Sequence, residues 1–220
     1  KPIIARVMDR MRAAGVGRFV VVVGEQGSAV AAYLREFWCP GCEVRFVMQP
    51  IPLGTADALR LAAPHIDGPF LLSSCDNLTP PDHMPALLEY FDAFDGDLVL
   101  TLIHSTPEDI ARSASVEVEG DRAIRCVEKP PIEEIASDLG SIMVYACGSK
   151  VLENIDHVPF SCRGEKEFVY VITKLIVSGG RVGHLLAQWR LHLTNAHDLL
   201  RINRRFFFIT INLIYFTQRV

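Results

Sequence analysis

Apolar positions along this chain switch repeatedly between a helical period of about 3.6 residues and strand-like runs, with glycine and proline at the changes. From Pro2 to Ala14, Ile3, Ile4, Val7, Met8 and Met11 share one helical face, and Gly15 ends the run. Arg18 to Val23 is an apolar run, the pattern of a buried parallel strand. Ser28 to Phe37 reads as a second amphipathic helix and Val44 to Met48 as a strand. Thr55 to Ala63 follows as a helix, Phe70 to Ser74 as a strand, Pro81 to Phe94 as a helix and Asp97 to Ile103 as a strand. Strands alternating with helices through short connections predict an α/β domain: a mostly parallel sheet with helices on both faces.

After Ile103 the pattern changes. Ser115 to Glu119 and Ala123 to Glu128 flank Gly120-Asp121, which predicts a hairpin. Leu139 to Ala146 reads as another strand. Phe168 to Val177 reads as a helix ended by Gly179-Gly180. Arg181 to Ala187 is a late strand and Ala196 to Arg205 a last helix. No repeat or low-complexity linker divides the chain. We expect one domain over 1–205 with two lobes, about 1–103 and 104–205, followed by a tail at 206–220.

The bulk numbers narrow the classes. Half of the 220 residues are hydrophobic, enough for a substantial core. A net charge of −4 gives no basic field for a nucleic acid polymer, though it leaves room for a local cationic patch around a small anion. The six cysteines are scattered, which suits reduced thiols and a cytoplasmic setting. Cys39-Pro-Gly-Cys42 has redox or zinc spacing, but no second such pair or nearby His pair accompanies it, so a turn carrying two thiols is the simpler reading. The start is an amphipathic charged helix, not a signal peptide. Phe206 to Phe216 is apolar and β-prone but too short to span a bilayer as a helix. Burial against the domain or in a homo-oligomer interface is the expectation.

The most informative stretch is Gln49-Pro-Ile-Pro-Leu-Gly-Thr-Ala-Asp-Ala-Leu59, a Gly/Pro-punctuated loop entering a helix. Glycine at a helix entrance lets another group approach the backbone closely. The strand after that helix runs into Ser73-Ser-Cys-Asp-Asn77, and a carboxylate just past a buried strand lies where open α/β sheets bind ligands. Val127-Glu-Lys-Pro130, Leu139-Gly-Ser-Ile-Met-Val-Tyr145, Gly164-Glu-Lys-Glu-Phe168 and Trp189…Asp198-Leu-Leu-Arg-Ile-Asn203 follow in order. Each motif alone is weak. Their order and spacing are specific.

Taken together these segments resemble the sugar-1-phosphate nucleotidylyltransferases, over nearly the whole chain from Lys1 to about Arg205. The resemblance implies a Rossmann-like, three-layer α/β/α nucleotidyltransferase (GT-A-like) fold with a mostly parallel mixed central sheet. It implies that a sugar 1-phosphate attacks a nucleoside triphosphate to give an NDP-sugar and pyrophosphate, glucose 1-phosphate with dTTP or UTP being the best match. Such chemistry needs groups that position the reactants and neutralise phosphate charge. By the resemblance, Lys1, Asp76 and Lys129 are catalytic, and Asp76 holds Mg2+. Gln49, Gly54 and Thr55 bind the nucleotide, with Thr55 as N-cap of its own helix the plainer alternative. Glu128, Gly140 and Glu167 bind the sugar.

The chain departs from the family pattern at three places. The family's Gly-rich, Arg-containing loop normally lies just before Lys1-Pro2. Cys75 stands where glycine is usual. Trp189-Arg-Leu-His-Leu-Thr194 has Leu191 where the family often has a second metal-binding Asp, and adjacent strand residues such as His192 point to the opposite face. Two alternatives follow: a non-catalytic NDP-sugar-binding regulatory or assembly homologue, and a truncated fragment of the enzyme.

Overall fold

The computed structural model of the chain describes residues 1–24, 28–38, 41–193, 197–200 and 202–203. Helix α1 (Ile3–Ala13) leads to strand β1 (Arg18–Val23), then α2 (Ser28–Phe37), β2 (Glu43–Met48), α3 (Thr55–Ala62), β3 (Phe70–Ser73) and the short β4 (Asn77–Leu78). Next come α4 (His83–Phe94), β5 (Leu98–His104), a one-turn α5 (Pro107–Ile110) and the hairpin β6 (Ala114–Glu119) with β7 (Arg122–Glu128). Strand β8 (Leu139–Cys147), α6 (Lys150–Glu153), α7 (Phe168–Val177), β9 (Val182–Leu186) and β10 (Leu191–His192) complete the described elements. Residues 197–200 and 202–203 are helical, as the sequence predicts. The expectation for the tail at 206–220 and for Cys39 falls outside the described residues. None of the described helices is long and apolar enough to cross a membrane.

The class is α/β with a central mixed sheet, ordered β3–β8–β5–β9–β7–β6. From the pairings, β3, β5, β9 and β6 run one way while β8 and β7 oppose them. The helix-linked strands account for the common direction. Strand β8 arrives from the hairpin lobe and inserts antiparallel between β3 and β5. Strands β1 and β2 form a separate parallel pair, in register from Arg18–Glu43 to Val23–Met48. Val20 to Val23 are therefore half-buried rather than fully buried, since among the described residues β1 hydrogen-bonds along one edge only.

Period-2 alternation with both faces covered produces two cores. Leu98, Leu100 and Leu102 of β5 and Tyr145 and Cys147 of β8 meet α3 and α7 through Ala56, Leu59, Phe168, Val171, Ile172 and Leu175. Val99, Ile142, Val144 and Ala146 face the other way, onto α1, α2 and α4 through Val7, Met8, Met11, Leu34, Met84 and Leu87. These are the three layers. A bulge between Leu100 and Thr101 shifts the β5–β8 register. The Thr101 hydroxyl fills the gap by donating to the Val144 carbonyl at 2.5 Å, with His83 Nε2 2.8 Å from the Thr101 hydroxyl oxygen. A polar chain this deep is tolerated because each member has a partner.

One contact ties the starts of α3 and α7 together. Gly54 has φ +110°, and a Cβ there would lie 2.5 Å from the Lys166 carbonyl oxygen and 2.8 Å from its nitrogen. The close approach foreseen for this glycine is thus used by the chain's own backbone. Lys166 N–H donates to the Leu53 carbonyl at 2.6 Å, and Ala56 N–H donates to the Lys166 carbonyl at 2.9 Å. Thr55 Oγ1 accepts from Phe168 N–H at 3.0 Å, so its hydroxyl caps α7 and not its own helix, whose N-cap position is Gly54. The entrance of α3 and the entrance of α7 are stapled together.

This staple generates a stability prediction. Gly54→Ala should destabilise the domain by about 3 kcal/mol or more, because strain at a positive φ adds to a clash with backbone that cannot rotate away. Urea denaturation monitored by circular dichroism measures it. A loss below about 1 kcal/mol would show that the Lys166 segment yields easily.

Candidate active site

The site grows from the two helix entrances. Gln49 follows β2, its backbone N–H donating to the Val23 carbonyl at 2.8 Å. Its Nε2 donates to the Gly54 carbonyl at 3.2 Å and to Asp57 Oδ2 at 2.9 Å. Asp57 is buried on the first turn of α3, and its other oxygen accepts from Arg60 Nε at 3.1 Å and Nη2 at 2.8 Å. Burial resists its charge, but the bonds from Gln49 and Arg60, with the charges of Arg60 and Lys166, hold its pKa below the ordinary value.

Across the staple lies a second charged group. Glu167 is buried at the N-cap of α7, where its carboxylate pairs with Arg163 and accepts from Ser161 Oγ at 3.1 Å. Arg163 also lies 3.8 Å from Glu128, at the end of β7, and Lys129 Nζ is 3.9 Å from the same Glu128 oxygen. Glu128 has its pKa pushed up to about 7 by burial and by the neighbouring Glu167 charge, with Lys129 and Arg163 acting against the shift. Lys129 sits at φ +45°, a costly conformation for a side-chain-bearing residue. Its N–H is anchored to the Ser113 carbonyl at 2.6 Å. Gly140 is buried at the start of β8, opposite Ser115 and covered on its Cα side by Ser105 and Ile110.

Asp76 stands in the turn between β3 and β4. Its Oδ2 meets His192 Nε2 at 3.1 Å and its Oδ1 accepts from Asn77 Nδ2 at 3.0 Å. Burial opposes its ionisation, yet bonds from His192 and Ser74 and the charge on His192 lower its pKa overall. Leu191 pairs with Leu78 in the β4–β10 ladder and packs on the apolar cluster, while its neighbour His192 faces Asp76. Alternation does put the two on opposite faces, but the sequence expectation that Leu191 takes the ligand position and His192 points away is reversed: His192 is the one turned to Asp76. The face given to the histidine needed the two-residue strand β4, which is too short to read from sequence. Lys1 is exposed, its ammonium paired with Asp9, which also accepts from Trp38 Nε1 at 2.9 Å.

The sequence-predicted residues thus fall into two joined sets and two separate ones. Gln49, Gly54 and Thr55 meet the Glu128–Lys129–Glu167 set through the staple. Asp76 connects to β8 through Ser74, whose N–H donates to the Met143 carbonyl at 3.0 Å, while Lys1 lies with Asp9 on α1. Among the described residues, no group of three His, Cys, Asp or Glu side chains is placed to hold a metal. Sequence reasoning missed Arg163, His192 and the Asp57–Arg60 pair. The charge-dense Arg163-Gly-Glu-Lys-Glu167 run before an apolar helix was the available signal for Arg163. Cys126 and Cys147 are buried with their thiols pushed up by desolvation, which makes them inert core fillers. Cys42 is free and half-buried.

Glu128 supplies a pH prediction. A carboxyl whose folded pKa lies near 7, above its ordinary 4.5, favours folding fully below 4.5, and that contribution is lost as pH rises through 7. Glu128→Gln should match wild type in Tm near pH 4 and exceed it by roughly a few degrees at about pH 8. Parallel Tm curves across the range would contradict the assignment.

Comparison with known proteins completes the description. Bifunctional protein GlmU of Methanococcus maripaludis is 27% identical over 207 residues, covering 94% of this chain and 47% of that protein. Glucose-1-phosphate thymidylyltransferase of Streptomyces antibioticus is 24% identical over 207 residues, covering 93% of this chain and 57% of that protein. The chain therefore spans about half the length of the curated relatives it matches. A UDP-glucose pyrophosphorylase solved with UDP-glucose superposes with a TM-score of 0.83 at 15% identity, covering 94% of this chain and 87% of that one, which shows a shared fold. The sequence model of the nucleotidyl transferase family matches residues 1–190, nearly all of what has just been described, and the chain belongs to that family.

Proposed function

We propose that this chain carries the site for nucleotidylyl transfer from a nucleoside triphosphate to a sugar 1-phosphate. The sugar phosphate oxygen forms a new bond to the α-phosphorus, the bond to the β-phosphate oxygen breaks, and pyrophosphate leaves. Glucose 1-phosphate with dTTP or UTP is the substrate pair we favour, in line with the similarity to the Streptomyces glucose-1-phosphate thymidylyltransferase. The observation that carries the reading is the junction of Gln49 with the Glu128–Lys129–Arg163–Glu167 group across the Gly54–Lys166 contact.

In this reading Gln49 orients the base at one end of the stretch joined by the Gly54–Lys166 contact. Glu128 and Glu167 accept hydrogen bonds from sugar hydroxyls at the other. Lys129 and Arg163 meet the sugar phosphate, Arg163 as a flat two-pronged donor and Lys129 as a mobile point charge. Substrate phosphate competes for Arg163 with the two carboxylates it now bridges, which frees them for hydroxyls. Asp76 is the residue that would hold a divalent cation. A single carboxylate with the imidazole of His192 beside it fits magnesium only as a partial shell completed by substrate phosphates and water. Such an ion would supply charge neutralisation on the phosphates. Lys1 would join them on leaving Asp9.

One observation favours a second reading. Strand β10 turns His192, not a second carboxylate, toward Asp76 and buries Leu191 against the apolar cluster, and so weak a cation site suits a homologue that binds an NDP-sugar without turning it over. Pyrophosphate release from the full-length protein with UTP or dTTP, glucose 1-phosphate and magnesium separates the two. We expect turnover, reduced on the order of a hundredfold or more in kcat by Asp76→Ala and by Lys129→Ala. Tight NDP-sugar binding with no pyrophosphate released would establish the second reading instead.

A further inference from the structure

The Asp57–Arg60 pair has a consequence for which bases the site accepts, an inference that rests on the nucleotide reading above. Gln49 Nε2 has two N–H groups and both are spent, one on the Gly54 carbonyl at 3.2 Å and one on Asp57 Oδ2 at 2.9 Å. Both partners are acceptors only, because Asp57 is held ionised by its bonds to Gln49 and Arg60. Flipping the amide would set Oε1 against two oxygens. The nitrogen is therefore locked inward and Oε1 outward. Among the described residues nothing donates to Oε1, so the end of Gln49 left for a ligand is a pure acceptor.

Arg60 makes the lock firm. Its Nε and Nη2 both close on Asp57 Oδ1, at 3.1 and 2.8 Å. That leaves Oδ2 turned to Gln49, with Asp57 only 3% exposed and no room to swing out. Without a carboxylate at 57, only the Gly54 carbonyl, at 3.2 Å, would hold the Gln49 nitrogen inward.

We propose that Asp57, clamped by Arg60, is a specificity-positioning residue that presents Gln49 as an acceptor. The site would thereby select nucleotides whose central base-edge ring nitrogen bears a hydrogen. Uracil and thymine meet Oε1 with an imide N3–H. Cytosine in the same pose presents the N3 lone pair, and two facing acceptors repel. An acceptor left unpaired at a partly buried site is typically disfavoured by on the order of tenfold to a hundredfold in affinity.

The test compares UTP and CTP binding by isothermal titration calorimetry, with magnesium, for the wild-type chain and Asp57→Asn. In the variant Arg60 takes the Asn oxygen and turns the Asn NH2 toward Gln49, which removes the bias on the amide. Wild type should prefer UTP by on the order of tenfold or more, and the variant should lose most of that ratio while circular dichroism shows an intact fold. A variant that weakens both nucleotides equally, keeping the ratio, has a merely structural Asp57 and overturns the proposal. Equal wild-type affinity for UTP and CTP overturns it too, leaving the nucleotide reading intact. Wild-type binding of neither nucleotide defeats that reading and this inference together. Should Asp57→Asn fail to fold, the Gln49 side-chain NH2 signals in wild type decide the matter. Slow solvent exchange of both protons, unchanged by UTP, supports the lock, and fast exchange overturns it.

Discussion

The arrangement depends on one contact: the backbone of Lys166 lying against Gly54. Both helices cover one face of the sheet, but that packing alone does not hold the entrance of α3 against the entrance of α7, 113 residues further along the chain. Three hydrogen bonds do so, linking Leu53, Thr55 and Ala56 to Lys166 and Phe168. Each satisfies a group that a helix start or loop would otherwise leave to water. The glycine makes the approach possible by having no Cβ. Downstream, Phe168 enters the core beside Tyr145 and Leu59, so the contact is backed by apolar packing on both sides.

From that junction the electrostatics follow. On one side a buried carboxylate, Asp57, has more than enough donors and stays charged. On the other, Glu128 and Glu167 share Arg163, and their mutual repulsion with burial lifts Glu128 toward neutrality. Asp57 thus stays charged while Glu128 is held near the midpoint of its titration at about pH 7, each for a reason visible in its partners. Under the proposed function, phosphate of a polyhydroxyl ligand would draw Arg163 and the hydroxyls would replace its hydrogen bonds.

Much of the fold was legible in sequence because both faces of the sheet are covered. Alternation in β5 and the continuous runs elsewhere left little freedom in assigning strands, and Gly15, Gly120 and Gly179 marked real chain reversals. The direction of β8 was not legible, since nothing local tells a strand whether it inserts parallel or antiparallel. In the site, the motif residues Gln49, Glu128, Lys129 and Glu167 stood out as chemistry-bearing. Their supporting groups did not: no motif singled out Asp57 or Arg163, and the cap alternative for Thr55 named its own helix rather than α7. The role of His192 depended on a two-residue ladder between β4 and β10, below what any periodicity can reveal.

Held by these three hydrogen bonds, the entrances of α3 and α7 form one cooperative unit. Native-state hydrogen exchange at the amides of Ala56, Lys166 and Phe168 tests it most directly. The account predicts that all three are protected and open together, with one common free energy that rises alike in the presence of UTP and glucose 1-phosphate. Protection at Ala56 alone, with Lys166 and Phe168 exchanging at the rate of an unstructured loop, would contradict it.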